Sequence, residues 1–308
     1  MTSLAARNVV VTGAASGIGR ALAERLAARA AHVILWDIDD PSLKSVAQRL
    51  REGGGRVSSY HCDVADRAAV YDTARRVVAK TGPIDILINN AGVVSGKYVQ
   101  ELSDAEIERT FAVNALAHFW TTRAFLPEMI ERNSGHIVTI ASAGGFVGTP
   151  GLADYCASKF AVVGFNESLR QELRQQRLAI RTTVVCPFFT NTGMFAGVKS
   201  RFPRLLPILD PERVADRTIA AIERNRQRLL MPWFAYVALP LRALPPRTFD
   251  ALLGFFGVTT SMEEFRGRGG PERSNHASGR GLVSPATERG EAESSTPNEL
   301  ADRGRTAR

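Results

Sequence analysis

From the start of the chain to about residue 231, short runs of β-branched and other apolar residues alternate with longer stretches in which apolar positions recur every three to four residues. The short runs fit strands buried on both faces, and the longer stretches fit helices with one apolar side. Strands are predicted at Asn8 to Thr12, His32 to Trp36, Val57 to His61, Ile84 to Asn89, His136 to Ala141, Ile180 to Val185 and Leu229 to Met231. This order predicts an α/β fold with one doubly wound parallel sheet of about seven strands flanked by helices. Asp40-Pro41 and Asp210-Pro211 place a carboxylate ahead of Pro at a helix start, and Ser103-Asp104-Ala105-Glu106 reads as a capping box. No internal repeat with a period of about 20 to 50 residues is visible.

The alternation stops near residue 232, which bounds a first domain at 1–232. Residues 233–265 are apolar and rich in Phe and Leu, but Pro240, Pro245 and Pro246 break any long helix. A lid over a substrate, a contact between protomers and a segment lying in a membrane interface are three readings of this extension. Residues 266–308 hold no Phe, Tyr, Trp, Ile, Met or Cys, and a disordered tail is expected there.

The formal charge of +8 is concentrated late in the chain, with ten Lys/Arg against five Asp/Glu between residues 195 and 250. A basic stretch beside an apolar one suits an anionic membrane surface better than a nucleic-acid groove, and a merely solvated basic face explains it as well. No nucleic-acid partner is predicted. Cys62, Cys156 and Cys186 stand too far apart for a metal motif, and His61, His118 and His136 add no ligand spacing, so no metal is predicted. The cysteines read as small buried hydrophobes in a reducing compartment. The start of the chain shows no secretory h-region or anchor, and no apolar run reaches the ~18 residues needed to span a bilayer. A cytoplasmic location is expected, with peripheral contact at the inner face of a membrane left open.

Chemistry enters at the first strand-to-helix junction, Thr12-Gly13-Ala14-Ala15-Ser16-Gly17-Ile18-Gly19. Glycines there let the backbone turn tightly and approach a pyrophosphate, which the helix N-terminus favours. An acid follows at the end of the second strand, Asp37, 24 residues beyond Gly13. This is the pattern of a Rossmann-type dinucleotide site. A carboxylate at that place accepts from ribose hydroxyls and repels a 2′-phosphate, which favours NAD. Arg20 offers a positive charge that keeps NADP in play, and Asp37 also reads as the opening of the turn toward Asp39.

Farther on, Tyr155-Cys156-Ala157-Ser158-Lys159 sets a phenol and an ammonium at i and i+4 on one helix face. A neighbouring cation lowers a phenol pKa that otherwise lies near ~10, and a phenol so tuned exchanges protons near neutrality. Ser142 stands just past the fifth strand, at the carboxyl edge where open α/β sheets bind ligands. Alone, the Tyr and Lys would read as a half-buried phenol beside a snorkelling amine.

Taken together these residues resemble the short-chain dehydrogenase/reductase family over roughly residues 5 to 232. The likeness runs from the glycine turn through Cys62-Asp63-Val64, Asn89-Asn90-Ala91-Gly92, Asn114, Ser142, Tyr155 and Lys159 to Pro187 and Thr190-Asn191-Thr192-Gly193. It implies that Asp63 and Val64 border the adenine, and that Asn90, Ala91 and Gly92 border the adenosine half and brace the sheet. It further implies that Asn114 holds a water joining Lys159 to solvent. Thr192 would then reach the nicotinamide carboxamide, with Pro187 and Thr190 also at the cofactor; Tyr155 would take the hydroxyl proton as hydride leaves the carbinol carbon, and Lys159 would lower the phenol pKa and bind the nicotinamide ribose.

A finer likeness, to the membrane-associated branch with retinol and 17-beta-hydroxysteroid dehydrogenases, rests on Val185 to Phe195, Arg201 to Pro211 and Met262 to Arg268. It implies a hydrophobic alcohol, or the corresponding carbonyl, as substrate. Homodimers or homotetramers are the assemblies it suggests. Phe188, Phe189, Met194, Phe195 and Phe202 suit an apolar pocket of that kind. Reduction of a 3-oxoacyl thioester is the competing chemistry, and a non-catalytic dinucleotide sensor or scaffold the competing class.

Overall fold

The computed structural model describes residues 3–267. The expected tail at 266–308 therefore lies outside the described residues apart from its first two positions.

Seven strands form one parallel sheet: β1 Asn8–Thr12, β2 His32–Asp37, β3 Arg56–His61, β4 Ile86–Asn89, β5 His136–Ile140, β6 Arg181–Pro187 and β7 Arg228–Met231, in the order β3-β2-β1-β4-β5-β6-β7. The reversal of order between β1 and β4 is the switch point beside which open α/β sheets bind ligands. Helices α1 Gly17–Ala27 and α2 Asp40–Glu52 follow the first two strands. Then come α3 Arg67–Thr81, α4 Asp104–Phe111, α5 Ala117–Glu131, α6 Ala153–Gln175, α7 Pro211–Glu223 and the short α8 Ala238–Leu241 and α9 Pro246–Phe255.

Alternate residues of each strand feed two cores. Val9 and Val11 pack with Leu22, Leu26, Val46 and Ile219 from α1, α2 and α7, whereas Val10 packs with Val70, Phe125 and Leu169 from α3, α5 and α6. This two-sided burial is why the strands read as continuous apolar runs.

Strand ends moved by a residue or two where a side chain captured the backbone. β4 begins at Ile86, and just before it the Asp85 side chain serves its neighbours: its Oδ2 accepts from the Asn8 N–H at 2.9 Å, and its Oδ1 pairs with Arg7 at 3.1 Å and Arg132 at 3.2 Å. Similarly, α2 is capped by Asp39, whose Oδ1 accepts from Ser42 N–H at 3.1 Å, with Asp40 inside the first turn, and Asp210 makes no cap bond with its side chain. The capping box at α4 is formed as expected, Ser103 N–H donating to Glu106 at 3.0 Å and Glu106 N–H donating to Ser103 Oγ at 3.3 Å.

Candidate active site

The turn after β1 is built by close approach. Gly13 and Gly17 hold φ of 66° and 54°, a region open to glycine at little cost. A Cβ on Gly19 would stand 2.0 Å from the Gly13 carbonyl oxygen. Asn90 braces the turn, its Nδ2 donating to Thr12 O at 2.8 Å and Gly13 O at 3.2 Å, while Thr12 Oγ1 accepts from the N–H of Asn90 and of Ala91. Thr192 reaches over from the far side, since a Cβ on Gly17 would meet its side chain at 3.1 Å. The first turn of α1 carries no acidic residue, which leaves its N-terminus favourable to an anion.

Asp37 lies at the end of β2, where both readings of it hold at once: Oδ2 accepts from Ala15 N–H of the glycine turn at 2.8 Å, and Oδ1 accepts from Asp39 N–H at 3.0 Å. Arg20 pairs with Glu24 along α1 at 3.7 Å. Asp63 has a partner that sequence reasoning missed: Arg109 of α4 donates to both its oxygens, at 3.2 and 2.8 Å. Burial alone would push this carboxyl up, but the bonds from Arg109 and from Ala65 N–H outweigh it and hold the carboxyl below its ordinary value.

Tyr155 and Lys159 lie on the buried face of α6, with the Lys159 Nζ 5.6 Å from the centre of the phenol ring and donating to Ile140 O at 3.2 Å. Ser142 follows β5; its Oγ accepts from Gly144 N–H at 3.0 Å, and it hydrogen-bonds Tyr155. Asn114 sits in a π-helical turn, Ala112–Leu116, between α4 and α5. Its Oδ1 accepts from Val93 N–H at 2.8 Å, and its Nδ2 donates to Val93 O and to Ser158 Oγ. Thus Asn114, Ser142, Tyr155 and Lys159 are brought together, Asn114 from behind the cleft wall.

The electrostatics depart from the expectation that the ammonium makes the phenol acidic. Burial dominates both groups: it drives Lys159 down to about 8 and Tyr155 above its ordinary value. Among the protein's groups it is the Ser142 hydrogen bond that pulls the phenol back down. At 3% exposure an ammonium is itself costly, which brings Lys159 within reach of proton exchange near neutral pH while its charged form still predominates there.

One cleft of about 320 Å³ joins these parts. Its wall includes Gly13, Ser16, Gly17, Ile18, Asp37, Asp63, Val64, Asn90, Ala91, Gly92, Pro187, Thr190 and Thr192 at one end, and Phe188, Phe189, Met194 and Phe195 at the other, with Ser142, Tyr155 and Lys159 between. Gly19 and Asn114 stand behind this wall. Residues from the 233–258 extension, among them Phe234, Leu241, Phe249, Leu252 and Phe256, line the apolar end. Phe202 packs instead on Phe255 and Phe256, with Arg201 over Phe202 and Phe255.

Phe265, packed behind the cleft wall, is the residue that sequence reasoning left unassigned. Its ring fills the space above Gly96, where a Cβ would come within 1.9 Å of it, and it backs Phe195 at 6.5 Å, which meets the Tyr155 ring edge-on at 5.5 Å. The signal was a contact between residues 169 positions apart, with no local pattern to betray it.

Among the described residues no group of three or more His, Cys, Asp or Glu side chains is arranged to hold a metal ion, and no helix is long and apolar enough to cross a membrane.

Residues 7–201 match the short chain dehydrogenase family. The chain is similar to epidermal retinol dehydrogenase 2 of Mus musculus, with 44% identity over 86% of this chain and 87% of that one. Two solved structures are also similar. One is a short chain dehydrogenase/reductase from Burkholderia phymatum in complex with NAD, at 30% identity and TM-score 0.73 over 79% of this chain and 95% of that one. The other is a metagenomic short-chain oxidoreductase in complex with NADP, at 32% identity and TM-score 0.62 over 74% and 96%.

Proposed function

The chain belongs to the short-chain dehydrogenase family, and from that premise we propose that it oxidises a long lipophilic alcohol, of the retinoid, steroid or long-chain class, or reduces the matching carbonyl, with Tyr155 exchanging the proton. It is an NAD(P)-dependent oxidoreductase of CH–OH groups acting on a hydrophobic small molecule. The observation that carries the finer reading is the single cleft, polar and glycine-lined at one end and aromatic at the other, with Tyr155 at the junction.

The residues present fit a nicotinamide dinucleotide: the turn at Gly13 and Gly17 leaves backbone room that a side chain would fill, and it faces a helix N-terminus. When bound, the dinucleotide supplies the hydride acceptor. The protein's own groups do the rest. Ser142 would orient the substrate oxygen and is the group that draws the Tyr155 phenol down, and Tyr155 Oη, ionised by passing its own proton toward Lys159, would accept the hydroxyl proton. Lys159 would hold the nicotinamide ribose and take the proton onward, a transfer its value of about 8 suits near neutral pH. Thr192, which stands over Gly17, would reach the carboxamide of the bound dinucleotide.

Asp37 favours NAD, because its carboxylate already accepts from the glycine turn and so stands where a 2′-phosphate would meet a like charge. Asp37→Ala should relax that preference by about tenfold in kcat/KM ratio; wild-type turnover faster with NADP refutes the assignment.

We assign residues 233–258 the role of a roof over the substrate. It is thin: Phe234 and Phe256 line the cleft, while Trp233 and Phe255 beside them are 71% and 57% exposed. Such an outer face, with Arg201 over Phe255 and the exposed Arg247 in the first turn of α9, suits peripheral contact with an anionic bilayer. Liposome binding that survives charge reversal at both arginines and Trp233→Ser removes that contact from the proposal. A 3-oxoacyl thioester, with its polar carrier arm, suits this apolar roof less well.

Retinol, a hydroxysteroid and a long-chain alcohol offered with NAD and NADP to wild type and to Tyr155→Phe test the whole reading. The expected result is turnover of at least one substrate, lost by a factor of about 10² to 10⁴ in the variant. Dinucleotide binding without turnover of any substrate would transfer the chain to the sensor class.

A further inference from the structure

The roof is joined to the body in different ways along its length. At its start Tyr236 Oη accepts from Leu230 N–H at 3.2 Å and donates to Arg228 O at 3.3 Å, along β7 at the sheet's edge. On the α9 side Phe255 and Phe256 rest on Phe202 through ring contacts. On the α8 side the join is Arg242, which follows directly on that helix. Its guanidinium lies 4.9 Å from the centre of the Phe160 ring of α6, and its Nη1 donates to the carbonyl oxygen of Phe146. A guanidinium stacked on a ring still directs its N–H groups outward in its own plane, so one arginine serves both contacts.

Phe146 belongs to the turn that Ser142 opens. Gly145 N–H donates to Ser142 O at 2.9 Å and Phe146 N–H to Ala143 O at 3.0 Å, so the position of Phe146 and that of Ser142 are set together. The inner side of the turn has no slack: a Cβ on Gly145 would stand 2.8 Å from Lys159 O and 2.9 Å from Val163 Cγ2. Its outer side is held by two arginines, Arg228 with its guanidinium 5.5 Å from the centre of the Phe146 ring, and Arg242 on the Phe146 carbonyl. Arg228 belongs to the sheet, through β7, whereas Arg242 belongs to the roof. A displacement of the roof therefore reaches the Ser142 turn through Arg242. Arg242 is itself exposed, so its replacement opens no cavity in the core.

We propose that Arg242 is a positioning residue that couples the roof to the Ser142 turn, so that the alcohol's apolar tail, packing between Leu241 and Phe146, steadies the hydroxyl that orients its own oxygen. Leu241 and Phe146 both line the cleft, one on each side of this link. The inference rests on the dehydrogenase reading above and on the roof assigned there. Contacts made by a remote part of the substrate then act at the reacting centre, so a longer tail speeds the chemical step as well as tightening binding.

Two measurements test it. The first compares butanol with dodecanol, each saturating with NAD, by the single-turnover rate of hydride transfer in wild type and in Arg242→Met, which keeps the stem and loses the guanidinium. In wild type dodecanol should react at least about fivefold faster than butanol. In Arg242→Met that advantage should shrink to within about twofold, with the butanol rate and the dinucleotide dissociation constant changed by less than about twofold. An Arg242 that only supports the fold predicts equal falls for both alcohols. Equal falls, or a wild-type rate indifferent to tail length, overturn the proposal. The second measurement needs no turnover: hydrogen–deuterium exchange of the ligand-free protein, read by mass spectrometry. Arg242→Met should speed exchange across residues 143–147 by about threefold or more and leave the glycine turn at residues 12–19 unchanged. Unaltered exchange at residues 143–147 overturns the proposal. The expected exchange together with no alcohol turned over by wild type would count against the dehydrogenase reading alone.

Discussion

The two ends of the cleft are made of different materials. At the dinucleotide end, positions are fixed by hydrogen bonds from side chain to backbone and by glycines with no room for a methyl group: Asn90 to Thr12 and Gly13, Asp37 to Ala15, and Gly19 against Gly13 O. At the alcohol end, the wall is a chain of ring contacts, Phe188 to Phe189 to Phe195 to Phe265, with centres 4.8 to 6.5 Å apart. Directional bonds hold one geometry, and ring contacts tolerate repacking at modest cost. The contrast suits a site that takes one invariant cofactor at one end and a flexible hydrophobe at the other.

The sharpest way to break this contrast is at Gly19. Gly19→Ala places a Cβ 2.0 Å from a backbone oxygen that cannot move without breaking the Asn90 brace, so dinucleotide affinity should fall by more than about a hundredfold in a titration of intrinsic fluorescence, if the variant folds at all. A variant that binds normally would mean the turn is as plastic as the aromatic end. Next in size is Phe265→Ala, which empties the space over Gly96 and should cost about 3 to 5 kcal/mol in denaturant unfolding. It should lower kcat for alcohol while leaving dinucleotide affinity nearly unchanged. Equal losses at both ends would dissolve the distinction.

A smaller effect comes with pH. His118 and His136, both in the sheet-and-helix body, are driven by burial to about 3 and about 4 from 6.5. On unfolding below pH 6.5 each takes up a proton that the folded protein refuses. Stability is therefore full above that pH and is lost as pH falls toward 4, by about 1.4 kcal/mol per pH unit for each group. Chemical unfolding at stepped pH checks this, and a flat profile between pH 6.5 and 4.5 would show that the body admits charge as readily as the roof.

What could be read from the chain depended on how far apart the partners lie. The glycine turn, the Tyr155–Lys159 spacing and the capping box at Ser103 are local, and each strand's two-sided burial shows in its own composition. The Arg109 clasp on Asp63, the filling of Gly96 by Phe265 and the choice among three readings of residues 233–258 depend on contacts across the fold, which no local window holds. The acidity of Tyr155 was misjudged for a related reason. Sequence spacing places a cation near a phenol, but the depth of burial that raises the phenol and lowers the amine is a property of the whole packed domain.

The placement of Phe265 also orders events in time. A chain made from its N-terminus has the first five strands, the glycine turn and the Tyr155 helix in hand some 90 residues before the ring that backs Phe195 is synthesised. A chain that stops short of residue 265 leaves Phe195 without its backing ring, so the aromatic end of the cleft is completed after the glycine-lined end.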